Sequence, residues 1–208
     1  MKKITMLLAL LMIISVFNTN VLAYEGGKEL IKVGEISVVS PYRLKDIKVK
    51  HYEDDNFSYA DVYSLKDNKL LITYKEEKPQ GITLMKCGEE SIRDLFTTYH
   101  DNPVDITVRA ECVVYDECGS TGTTMHLIKI NSADHYISSS GKFTLNNKKS
   151  TISENRVQIS GTQEIDYDIS VTAGLSISFL QSVGFSIESQ IGTVYHLRRT
   201  YNHTVEFR

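Results

Sequence analysis

The feature that most limits what this chain can fold into is an alternation running through its last fifth, Ile165 to Phe207. Odd positions read Ile165, Tyr167, Ile169, Val171, Ala173, Leu175, Ile177 and Phe179, then Val183, Phe185, Ile187, Ile191, Tyr195, Leu197, Tyr201, Val205 and Phe207. The even positions between them are polar, small or charged, with Leu180 and Val194 as the apolar exceptions. A period of two is the mark of β-strands with one dry and one wet face. The run is too long for one strand, so it must fold back on itself.

The place of the fold-back follows from parity. A two-residue loop pairs i with i+3 and swaps the dry face, whereas a three-residue loop pairs i with i+4 and keeps it. Parity is kept here and the pattern falters at Leu180-Gln181-Ser182. A turn there pairs Phe179 with Val183, Ile177 with Phe185, Leu175 with Ile187, Val171 with Ile191 and Tyr167 with Tyr195, apolar against apolar on nearly every rung. A rival turn at Glu188-Ser189-Gln190 would give a three-stranded meander. The single long hairpin is the expectation.

At the other end, Met1-Lys2-Lys3 precedes an apolar run from Met6 to Phe17 and then Val21-Leu22-Ala23. This is the pattern of a secretory signal peptide cleaved after Ala23, and the apolar run is short for a membrane anchor. The expected mature chain, 24–208, is a secreted or cell-surface β domain. Its leader takes Lys2 and Lys3 from the 23 basic residues and none of the 26 acidic ones, so the charge balance offers no footprint for nucleic acid. In an oxidising compartment three cysteines, 87, 112 and 118, leave at least one unpaired. Cys112 and Cys118 are the candidate disulfide, closing a small loop around Val-Val-Tyr-Asp-Glu, with Cys87 paired to either as the alternative.

Between these ends, Val, Ile and Tyr-rich stretches predict strands at Leu30–Val39, Asp46–Tyr52, Phe57–Ser64, Leu70–Tyr74, Asp105–Tyr115, Thr124–Ile130, Lys142–Leu145 and Arg156–Ser160. One short helix is expected from Ser91, with Asp94 in a capping-box position and Ile92, Leu95 and Phe96 on one face. If a sub-boundary exists, it falls at 99–103. The expected fold is therefore mainly β: antiparallel sandwich-like sheets, one short helix and a long C-terminal β-hairpin over 164–207. There is no Gly-x-Ser-x-Gly elbow, no paired Cys/His spacing and no glycine-rich phosphate loop, so neither catalytic residue nor metal or cofactor site is assigned and no enzyme is expected.

What remains is the stripe of Val171, Leu175, Ile177, Phe179, Val183, Phe185 and Ile187, which must be covered by core, by another subunit or by lipid. Its opposite face carries no charge from Ser170 through Ser186, unlike ordinary exposed sheet, where about 30% of positions are charged. Ile165–Phe179 and Val183–Leu197 each exceed the roughly 9–11 residues a membrane-crossing strand needs. The stretch resembles the stem hairpins of secreted β-barrel pore-forming proteins: alternating, rich in Ser, Thr and Gly, uncharged inside and tipped by Phe179-Leu180. That resemblance spans about thirty residues, and it implies a homo-oligomer and a membrane target. Two functions are carried forward: a sandwich-like module with a binding or structural role, its cell-surface target unidentified, and an oligomeric membrane-inserting protein using the 165–197 hairpin.

Overall fold

The computed structural model describes residues 24–208 except 26–27, 79–87, 102, 120–121, 138–141 and 171–174. The leader, Cys87 and Val171 thus lie outside the described residues, as does most of Lys78-Pro79-Gln80-Gly81, a turn signal in the sequence, with Ile82–Lys86 as its expected return strand. Within them the chain is mainly antiparallel β, as expected. A six-stranded sheet is a simple meander of β4 (Ile47–Glu53), β5 (Phe57–Ser64), β6 (Leu70–Glu77), β7 (Glu90–Asp101), β8 (Val104–Gly119) and β9 (Gly122–Ile137). A four-stranded sheet holds β10 (Phe143–Ser153), β11 (Arg156–Asp168), β12 (Ser186–Ile191) and β13 (Val194–Glu206) in the order β10-β11-β13-β12. A three-stranded sheet of β1 (Tyr24–Glu25), β2 (Lys28–Val33) and β3 (Ile36–Val39) continues it, because Ser37 and Arg208 exchange backbone hydrogen bonds.

The main core forms where these layers face each other. Ile31 and Ile36 from β2–β3, Val62, Ile72, Ile106 and Val108 from the meander, and Ile159 and Phe207 from the chain's end are each at most 2 % exposed. Each such side chain contributes about 1.5–3 kcal/mol relative to exposure. The layers are also pinned by a buried polar joint: His135 on β9 bonds the Tyr201 hydroxyl through Nε2 (2.7 Å) and Ser150 Oγ through Nδ1 (3.0 Å). Gly161 is needed beside it, since a Cβ there would stand 2.4 Å from the Tyr201 hydroxyl.

Three local expectations change. Residues from Ser91 form strand β7, not a helix, with Arg93, Leu95, Thr97 and Tyr99 buried in alternation. Two buried polar side chains in that set hid the period of two, and the β-branched and aromatic run Thr97-Thr98-Tyr99 favours extended backbone. The candidate boundary at 99–103 falls within the β7–β8 hairpin, where Asp101 pairs with Val104, and Tyr99 belongs to the main core. Cys112 and Cys118 occupy one continuous strand, β8, six residues and therefore about 20 Å apart, far beyond disulfide reach. Cys112 is a free, buried thiol whose pKa burial pushes up to about 12.

Candidate functional site: the distal end of the four-stranded sheet

The β11–β13 ladder follows the register expected from parity. Tyr167 faces Tyr195 and Ile165 faces Leu197, and the same register runs down to Arg156 opposite Glu206. It extends one rung further, where Ile169 N–H donates to Thr193 O at 3.1 Å. Beyond that rung the long hairpin stops. Among the described residues, the chain then forms helix α1 (Ile177–Ser182) and lays β12 against the other edge of β13.

Local chemistry explains the detour. The Ser176 hydroxyl caps α1 by accepting from Phe179 N–H, and Ser182 Oγ donates to Phe179 O. Gly184, at φ +95°, ends the helix in the left-handed conformation that glycine tolerates best. The loop joining β12 to β13 is Gly192-Thr193, two residues long, so it should swap the dry face. It does not, because β12 bulges at Glu188: Ser189 pairs with His196, whereas Ile187 pairs with Leu197. A two-residue loop plus one bulge keeps parity as a three-residue loop would. That is why neither Leu180-Gln181-Ser182 nor Glu188-Ser189-Gln190 is the turn.

The fold-back divides the expected stripe. Phe185 is 3 % exposed and joins Ile165, Tyr167, Leu180 and Leu197 in a second, smaller core. Leu175, Ile177 and Val183 pack half-buried against it, while Phe179 and Ile187 stand 37 % and 42 % exposed. Ile169 and Ile191, at 51 % and 80 %, extend the uncovered apolar surface. Leu180, which parity assigns to the wet face, is wholly buried, because the helix turns it inward.

Arg199 clasps the segment to the body. Its Nη1 donates to Val183 O (2.9 Å), its Nε to Gln163 Oε1 (2.7 Å) and its Nη2 to Asp101 O (3.4 Å), while its guanidinium lies 5.0 Å from the centre of the Phe185 ring. Burial lowers its pKa from the usual arginine value, partly offset by Asp101. Nearby, Asp101 Oδ2 sits 2.8 Å from His203 Nε2, and His203 stacks on Tyr99 at 4.1 Å. Hydrogen bonding and charge from His203 hold the Asp101 carboxyl below its usual value against an opposing burial effect. The clasp was absent from the sequence reading, although a charged residue at an odd position between Leu197 and Tyr201 was its visible signal.

Taken together, these elements define a two-layer antiparallel β protein whose last two long strands project a small, separately packed tip. Comparison with protein families, with curated proteins and with solved structures finds no match to this chain. Among the described residues, no three of the His, Cys, Asp and Glu side chains converge as a metal site. No described helix is long and apolar enough to cross a membrane, which leaves strands unaddressed.

Proposed function

We propose that this is a secreted protein that inserts into membranes as an oligomer, with residues 169–193 as the part that enters lipid. One observation carries the reading: the β11–β13 ladder already extends to Ile169 and Thr193 in the register that, if continued, pairs the rest of the apolar stripe. Unfurling needs no new register. Helix α1 and strand β12 leave their places, and the two long strands grow toward Leu180-Gln181-Ser182. Each arm then adds eleven residues, Ile169–Phe179 and Val183–Thr193, matching the roughly 9–11 needed to cross.

The energetics are compatible. A six-residue helix is marginal by itself, and all six residues of β12 are exposed. What release sacrifices is the small core around Leu180 and Phe185. What lipid returns is cover for the whole odd face, including Ile169, Phe179, Ile187 and Ile191, at about 1.5–3 kcal/mol for each one fully buried. One hairpin cannot close a barrel, so several copies must contribute.

The competing reading, a secreted module with a binding or structural role, draws support from the chain's own cover of Leu180, Phe185 and Leu197. Vesicles separate the two. The mature protein is expected to release dye from loaded vesicles, and Ile187→Asp is expected to stop the release with the melting temperature nearly unchanged. Ile187 is half-exposed in the folded-back form, yet it would meet the middle of the bilayer in the hairpin, where a charged substitution is most costly. Tight vesicles, or an Ile187→Asp protein as active as the parent, would leave the module reading standing. Phe185→Asp is a poor probe, because that side chain is buried in the folded-back form as well.

A further inference from the structure

Among residues 169–193, the stretch that the reading above sends across the bilayer, Glu188 is the sole charged residue. We propose, resting on that reading, that Glu188 makes the pore prefer small cations over anions. Three placements lead there. In the folded-back form Glu188 is the bulged residue of β12, exposed, and its carboxylate lies 3.9 Å from Arg198 Nε. On the continued ladder it moves to the rung of Gly174, ten residues and about 33 Å along the strand from Arg198. The ion pair therefore cannot survive conversion.

Arg198 meanwhile keeps its existing rung opposite Glu164, and His196 keeps Asp166, whose Oδ1 lies 2.7 Å from His196 Nδ1. These two pairs keep their rungs at the base of the hairpin, Asp168 stands one rung further on opposite Val194, and one carboxylate per copy is carried well beyond them. Its parity is that of Ser170, Ser176, Ser178 and Ser186, the wet face that a closed barrel turns to its lumen. Glycine on the same rung supplies no side chain to cover it. In an oligomer the carboxylates form a ring of like charge, which concentrates counter-cations and repels anions in a narrow passage.

Currents through a planar bilayer under a potassium chloride gradient test this. The wild type is expected to pass potassium several-fold more readily than chloride. Glu188→Gln should bring the ratio toward one, and Glu188→Lys should favour chloride. Both variants should melt with the parent, since an exposed pair of this kind contributes at most about 1 kcal/mol. An unchanged ratio in Glu188→Gln, or a chloride-preferring wild type, overturns the role of Glu188 while the membrane reading stands. Absence of both dye release and channels in the wild type sinks the two together.

Discussion

Glu76 shows how one side chain can tie distant strands while resisting its own charge. It is 4 % exposed on the core face of β6, and its Oε2 accepts from the backbone N–H groups of Glu35 (2.9 Å) and Ile36 (3.3 Å) in the β2–β3 turn. Gly34 in that turn has φ +58°, and a Cβ there would meet the carboxylate at 2.3 Å. Burial raises the Glu76 pKa from 4.5 to about 7, opposed by the two N–H donors. The folded state therefore holds this proton more tightly than the unfolded chain does. Stability from this group is full below about pH 4.5 and is lost as pH rises through about 7. Glu76→Gln keeps an acceptor and removes the titration. Denaturant melts should show the variant gaining on the wild type between pH 5 and pH 8 by up to about 3 kcal/mol. A constant difference across that range would mean the carboxyl titrates normally.

At the scale of elements, the proposed insertion turns on the position of β12. Ser186 and Arg198 are ladder partners in the folded-back form but would be twelve residues, about 40 Å, apart in the long hairpin. Replacing both by cysteine should staple β12 to β13. Dye release is then expected to be absent until reductant is added, whereas release by the oxidised protein would show that β12 need not leave. The strands themselves were largely legible in the sequence. Phe57–Ser64 appears with the expected bounds, and the Tyr167–Tyr195 register was recoverable from parity alone. Two things were not. A loop of two residues with a bulge imitates a loop of three, so the end of the hairpin was placed at the wrong turn. A strand whose buried face includes Arg93 and Thr97 imitates a helix, because hydrophobic periodicity sees only apolar side chains. The clasp escaped for a related reason: the partners of Arg199 are backbone carbonyls and a glutamine from three separate elements, a set that sequence spacing does not encode.

For the molecule as a whole, the division of labour between two cores matters most. The main core unites the meander, β2–β3 and the proximal halves of β11 and β13, whereas the tip packs on a core of its own. The proposed conversion would give up the small core and leave the large one intact. If several copies must meet before a barrel closes, release should rise more steeply than linearly with protein concentration at fixed lipid. Stopped-flow dye release over a dilution series measures this, and first-order dependence throughout would indicate that single copies act.

The buried thiol at the middle of β8 has a use of its own. Cys112 is wholly enclosed at the centre of the main core, and its raised pKa keeps it out of the reactive thiolate form. A maleimide will reach it only when the meander itself parts. Mapping the label at that position over time would thus clock the opening of the body separately from any motion at the tip, using an atom the protein already carries.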